Sequence, residues 1–462
     1  MRGASFVSPR PGGLSPGGGP GRPGLFAALG HRNFRLFFIG QFISLIGTWM
    51  QRIAQAWLVL NLTHSPFLLG LVSALQWLPV LFLSLVGGVI ADRVSKRSLL
   101  VVTQSAQMMQ AFVLCALVLT GAVQYWHVVV LACALGFTSA LDIPTRQAFV
   151  FEMVEGEHTM NAVALNSTIF NGARLFGPAV AGVAIGQLGM GWAFLANGVS
   201  FIAVIVALLM MDVRPVEPVR SAGLVEHLQE GVAYVVRTPA ALQVVTLVAL
   251  MSVFAMNSNI LVPVLAKDTL HQDAAGFGFL MSAQGIGALI GALGIASVSH
   301  LGPRPSLLLG GAAMLALSSL LLAAARHFAA AAVLLAIAGG SMVVFTATAN
   351  TSLQISAPDY LRGRVMSMYA IVMGGMTPAG ALVAGALAQF WGAPGAFGTG
   401  GIVGLASVLM VWRWRAASRS APAAAAPAGG NNPIRRGNGT RAAGGRRSSL
   451  GDDAAAAPAD EE

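Results

Sequence analysis

Two arginines stand inside stretches that are otherwise oil-like. Arg52 lies within the apolar run 36–60 and Arg174 within 163–187. Each has polar company at helical spacing. Gln41, Ser44, Thr48, Gln51 and Gln55 recur every three or four residues around Arg52, and Ser167 and Asn171 precede Arg174 in similar steps. Those steps put side chains on one helix face. A guanidinium in a hydrophobic span is costly unless water or a partner reaches it. The chemistry open to these groups is recognition. Arg52 and Arg174 can hold an anionic or polar part of a ligand, with Gln51, Gln55 and Asn171 donating hydrogen bonds. Equally, the same groups can tie helices together. Asn257, Asn259 and Gln284 offer further amides in the second half of the chain. Asp142, with Arg146 one turn on, is the carboxylate nearest the centre of a span. It is a candidate to carry a proton, or else a permanent ion-pair partner.

Bond-making chemistry is not written here. No P-loop, G-x-S-x-G elbow or H-E-x-x-H occurs, and Gly285-x-Gly287 with Gly291 sits in an apolar run that no strand precedes. It reads as a close helix contact. Cys115 and Cys133 both fall in apolar runs, as small core residues and not a metal pair. The chain is therefore expected to be no enzyme, with no catalytic residue, metal or cofactor.

The elements that must position these groups follow from composition. Of 462 residues, 56% are hydrophobic and 10% charged, against about 25% charged in a soluble domain. The solvent must be lipid, and the net charge of +10 points to topology and not to nucleic acid. A spanning helix needs about 20 apolar residues. Such runs fall at 36–60, 67–91, 99–121, 126–147, 163–187, 192–212, 241–265, 277–299, 305–324, 328–350, 365–390 and 395–413. Two six-helix bundles, 35–212 and 241–413, are expected, joined by a polar linker at 213–240. Residues 1–34 and 414–462 read as disordered cytoplasmic tails, without a cleavable signal peptide. With both termini inside, the outer loops contain only Lys267 and Arg326, so the positive-inside rule gives N-in and C-in. The fold class is an all-α, multi-pass protein of the plasma (inner) membrane.

A faint repeat supports two halves. Gly177-Pro178-Ala179 matches Thr377-Pro378-Ala379. Gln187 to Ala193-Phe194 echoes Gln389 to Ala396-Phe397, and Lys96-Arg97-Ser98-Leu99-Leu100 echoes Arg304-Pro305-Ser306-Leu307-Leu308. Parallel repeats of this kind build transporters.

Specific motifs then carry a resemblance. Gly88-Val-Ile-Ala-Asp92-Arg93-Val-Ser95-Lys96-Arg97 resembles the G-x-x-x-D-R-x-G-R/K-R/K loop between helices 2 and 3 of the major facilitator superfamily, with Ser95 in place of Gly. Within it, residues 160–182, Asp142-x-Pro144-x-Arg146, Glu230-Gly231 through Pro239, and Pro358-Asp359-Tyr360-Leu361-Arg362-Gly363-Arg364-Val365 are similar to the transmembrane secretion effector branch, which includes enterobactin exporters. The resemblance covers about residues 31–413. It implies twelve helices in the major facilitator fold, helices 1 and 5 lining a central cavity, and secondary active transport, most often efflux. Gly177, Pro178 and Gly182 stand where antiporters of the superfamily carry G-P-x-x-G-G, with the last glycine pair incomplete.

From these expectations a mechanism follows. Helices 2 and 11 are expected to cross near the cytoplasmic surface at Gly87 and Gly88. Asp92 would lie near the positive end of helix 11. With Arg93, Lys96 and Arg97, and with Asp359, Arg362 and Arg364 opposite, it would form a gate. The expected activity is alternating-access export of a small, partly hydrophobic molecule, drug- or siderophore-like, by a monomer working as a proton-coupled antiporter. An importer of the same fold and a non-transporting receptor are the alternatives.

Overall fold

A computed structural model describes residues 26–154, 158–212, 224–298, 300, 302 and 304–420. Residues 1–416 form one unit and 417–462 a second; the contacts below belong to the first. The described residues are helical. Before the linker lie α1 (Arg32–Thr63), α2 (Pro66–Arg93), α3 (Lys96–Leu119), α4 (Tyr125–Met153), α5 (Thr159–Leu188) and α6 (Met190–Leu209). After it come α7 (Leu224–Arg237), α8 (Pro239–Phe254), α9 (Ser258–Val264), α10 (Ala274–Ser297), α11 (Pro305–Leu322), α12 (Phe328–Ser356) and α13 (Arg362–Ser420). Ten helical stretches are long and apolar enough to cross a membrane. The 32-residue α1 is not among them, because its polar stripe dilutes its hydropathy.

Local chemistry sets the boundaries. Ser65 caps α2 by accepting from the Leu68 N–H, with Pro66 opening the first turn. Asp273 caps α10 the same way, accepting from Gly276 N–H at 2.9 Å. Ser95 has φ −58°, so glycine is not needed there; its side chain instead caps α3. His64 at φ 50° ends α1, and Gly189 at φ 90° separates α5 from α6.

Three expectations need correction. The run 241–265 is two helices: the Asn257 amide donates to Val253 O at 2.6 Å and caps carbonyls freed at the break. Pro263 then removes a backbone donor just before a π-helical turn, Leu265–Thr269. The runs 365–390 and 395–413 lie on either side of Gly392, whose non-helical backbone (φ 68°) divides α13 into two helices, the second continuing to Ser420. Residues 414–420 of the expected tail are therefore helical. Part of the linker is also ordered as α7. Its Gly231 packs on the Arg364 backbone, and its Tyr234 hydroxyl donates to Ser356 O at 2.5 Å. Residues 1–25, 213–223 and 421–462 of the expected tails and linker lie outside the described residues.

The buried apolar residues show how the halves meet. One cluster joins both: Trp57, Leu58 and Leu60 of α1 and Leu69 of α2 pack with Ile260, Leu265, Phe277 and Ala381 from the second half. All of these lie toward the end of the molecule where α1 finishes and α2 begins, here termed the closed end. At the other end the core divides. Phe34, Phe37, Leu100, Phe149 and Leu208 belong to the first half alone, and Val235, Leu308, Leu353 and Val365 to the second alone. The halves share apolar burial at one end and not at the other.

Candidate functional site

The polar stripe of α1 splits between two surroundings. Gly40 and Gly47 let α1 sit on α6, where an added Cβ would approach the Ala203 carbonyl and the Asn197 backbone to 3.1 and 3.0 Å. Gln51 shares that face. Its amide donates to Gln110 Oε1 on α3 (2.8 Å) and its carbonyl accepts from Asn197 on α6 (2.7 Å). Arg52 lies about 100° further round the helix and is exposed. Its guanidinium rests 4.7 Å from the centre of the Trp49 ring, a cation–π contact, and Trp49 meets Phe170 of α5 edge-on at 6.3 Å.

The other expected cavity residues divide the same way. Gln55 is buried and donates to Gln76 of α2 at 3.2 Å. Asn257 caps the helix break, and Gln284 donates to Ser258 at 2.8 Å, holding α10 to α9. Gln51, Gln55 and Gln284 are spent on bonds between helices, and Asn257 on the last carbonyls of α8. Placing them in an open cavity is corrected on that ground. Asn171 and Asn259 are exposed and Arg174 half-exposed. Asn171 turns its amide onto Ser167 O one turn back, at 2.8 Å. Arg52, Arg174 and Asn171 thus remain available on neighbouring faces of α1 and α5, beside two aromatic rings.

Their depth follows from glycine contacts. A Cβ on Gly278 of α10 would lie 2.8 Å from the Gly182 Cα, and one on Gly285 would lie 2.9 Å from the Leu175 Cα and 3.2 Å from Arg174 O. Close contact between α5 and α10 therefore runs from the closed end down to the level of Arg174. Pro178 and Gly182 lie in that seam, whereas Gly177 packs on Trp49, within the first half. Helices α2 and α13 cross through Gly70, Ala381 and Gly385. Arg174 stands at the lower limit of that close contact, beyond which the two halves have separate cores.

Asp142 is 1% exposed and is fixed between α3 and α4. It accepts from Thr103 (3.0 Å), from Gln104 (2.6 Å) and from Arg146. The sequence singled out the pair but not its two α3 donors.

The expected gate residues stay within their own halves. Lys96 pairs with Glu152 at 2.5 Å. Arg97 donates to the carbonyls of Leu208 and Leu209, both at 2.7 Å, closing off the C-terminal end of α6. Arg362 pairs with Asp359 at 2.5 Å, and Arg364 with Glu230 of α7. Among the described residues Asp92 and Arg93 make no ion pair. Gly87 packs on Ala140 of α4 and Gly88 has nothing within 4 Å. The crossing of helices 2 and 11 at these glycines is therefore corrected: it lies at Gly70 and Gly385, because the halves are apart at the Asp92 end.

Spanning helices in two halves, joined at one end and parted at the other, define a membrane transporter of the major facilitator type. Solved transporters share the fold. The nucleoside transporter NupG superposes with a TM-score of 0.67 at 13% identity, over 83% of this chain and 98% of that one. A bacterial homologue of the lysosomal transporter Spinster gives 0.63 at 12%, over 84% and 96%. Residues 23–433 match the family of transmembrane secretion effectors, and the chain belongs to that family. It is 27% identical over 265 residues to the staphyloferrin A transporter of Staphylococcus aureus (strain NCTC 8325 / PS 47), covering 57% of this chain and 67% of the relative. It is 27% identical over 280 residues to the enterobactin exporter EntS of Shigella boydii serotype 4 (strain Sb227), covering 60% and 66%. The matched stretch spans about two thirds of these relatives. The chain is a transporter, not an enzyme.

Proposed function

We propose that this protein is a monomeric secondary exporter of the inner (plasma) membrane, with the open end facing the cytoplasm. It has twelve spans, counting α1, the broken helix 239–269 as one, and α13 as two, with both termini inside. One observation supports this reading: Arg52 and Asn171 are exposed and Arg174 half-exposed, near Trp49 and Phe170, at the level where the close contact between the halves ends. A carboxylate or other anionic group would pair with the arginines, and an apolar ring of the same ligand would lie against the aromatics. The cargo class is a small, partly hydrophobic anion, in keeping with relatives whose names denote siderophore transport. A crevice between the halves would admit it from the cytoplasm.

Export then needs the halves to rock so that the Asp92 end closes. Asp92 and Arg93 would find partners among the residues around Asp359, Arg362 and Arg364 only in that closed state. Proton coupling is part of the reading. Asp142, paired with Arg146, is its candidate carrier. The test is accumulation of an amphipathic carboxylate dye in everted vesicles, with and without a proton gradient. Uptake driven by the gradient, and reduced at least tenfold by Arg52→Ala with Trp49→Ala less severe, is expected. Equal uptake by wild type and Arg52→Ala would overturn the assignment of the site.

A further inference from the structure

The hydrogen bonds described between the halves all lie at the closed end, and a single charged side chain makes the strongest set. Lys267 stands on the π-helical turn Leu265–Thr269. Its ammonium donates to Leu60 O at 3.1 Å and to Asn61 Oδ1 at 2.8 Å, in the last turn of α1, and lies 5.9 Å from the centre of the Trp57 ring. Trp57 in turn stacks on Phe277 of α10 at 5.9 Å, with the rings 17° from parallel. The last carbonyls of a helix lack internal partners and carry the negative end of its dipole, so a cation there is favourable. Across the molecule, Gln389 of α13 accepts from the Ser65 hydroxyl (2.7 Å) and the Phe67 N–H (3.4 Å) at the start of α2. None of the four ion pairs among the described residues joins the halves.

The geometry points to Lys267 as the latch of the closed end: a positioning residue that holds the crevice open toward the Asp92 side by fastening the second half onto the end of α1. This rests on the alternating-access reading above. The latch has the properties a reversible contact needs. It uses a carbonyl and an amide and no carboxylate, so water can replace both acceptors when the halves part, and no buried charge is left unpaired. The π-turn sets the ammonium on α1, because an extra residue in the turn rotates the side chain away from its ordinary helical direction. The Gln389 contact is neutral and is the lesser clasp.

The experiment uses the full chain with Cys115→Ala and Cys133→Ala, in nanodiscs, with paired spin labels and pulsed distance measurement. One pair reports the closed end, at Trp126→Cys and Val333→Cys. The other reports the Asp92 end, at Val94→Cys and Tyr360→Cys; all four native side chains are exposed. Lys267→Met keeps most of the stem and removes the donors. It is expected to lengthen the first distance and shorten the second in a population raised at least threefold, while Lys267→Arg restores the parent distribution. Gln389→Leu should give a smaller shift in the same direction. Gly278→Leu, which forces α5 and α10 apart, is the control for rocking itself. If Gly278→Leu moves both distances and Lys267→Met moves neither, the latch is refuted and alternating access stands. If neither variant moves either distance, alternating access fails with it.

Discussion

The two halves solve the same problem with a different balance of means. Both must hold helices together in lipid, where apolar side chains have no preference for one another over the solvent. To glycine contacts such as Gly40 on Ala203 and Gly136 on Gln76, the first half adds amides and hydroxyls. Gln51 ties Gln110 to Asn197, Gln55 reaches Gln76, and Thr103 and Gln104 converge on Asp142. The second half has fewer such ties, Gln284 to Ser258 among them, and leans on missing side chains. Gly287 lies against Ala336, Gly291 against Gly340, Gly339 against Gln284 and Gly311 against Phe345. The lesson concerns where chemistry can live. A half knitted by hydrogen bonds can present Arg52 and Arg174 on rigid helices. A half packed backbone to backbone moves as a body and carries the breaks: Asn257, the π-turn and Gly392.

The comparison predicts an ordered set of failures. The largest should be Gly287→Leu, since even a Cβ there would collide with the Ala336 carbonyl, a backbone atom that cannot swing aside. Overpacking costs about 1–3 kcal/mol and more where nothing yields, so folded, monodisperse protein should be nearly lost on size exclusion. Gly294→Leu has nothing within 4 Å and should behave as wild type. Equal yields from the two would remove close packing as the principle of the second half.

Next comes Asp142→Asn. Breaking a fully buried pair costs roughly 3–5 kcal/mol. Arg146 keeps 23% exposure, so about 2 kcal/mol is expected here, read as a lowered Tm in detergent. Adding Arg146→Gln should recover part of the loss, since the remaining amides can bond to each other. An unchanged Tm in the single variant would show that the first half does not depend on its polar network.

Much of this was legible in the sequence, for identifiable reasons. Span positions came through because lipid demands long apolar runs. The Asp142–Arg146 ion pair within α4 came through because a carboxylate in such a run needs a partner within a turn. The division of the α1 stripe did not. Gln51 and Arg52 are adjacent in sequence, and a stripe read at steps of three and four cannot say which edge meets α6 and which meets the crevice. Lys267 was visible only as a rare cation at the outer side. Its role depends on a π-turn and on the end of α1, some 200 residues away in the chain, and no local pattern encodes that. The crossing of helices 2 and 11 was misplaced because glycines at both Gly70 and Gly88 permit close approach, and only the conformation decides which one is used.

That ambiguity supplies the smallest and most discriminating prediction. Gly87→Ala would press its methyl onto the Ala140 carbonyl and should lower Tm. Gly88→Ala meets open space. Alanine is favoured over glycine within a helix by about 0.5–1 kcal/mol, so Gly88→Ala should leave Tm unchanged or raise it slightly. Its effect on transport depends on the other state. If the halves rock until helices 2 and 13 close at the Asp92 end, the Gly88 face becomes a contact and the added methyl obstructs it. Vesicle uptake should then fall severalfold in a protein that is, by Tm, as stable as the parent. If uptake by Gly88→Ala matched wild type, helix α2 would not be approached at Gly88 at any point in the cycle. The gate would then have to be sought in the side chains of Asp92 and Arg93 alone, away from the backbone crossing that the closed end displays at Gly70.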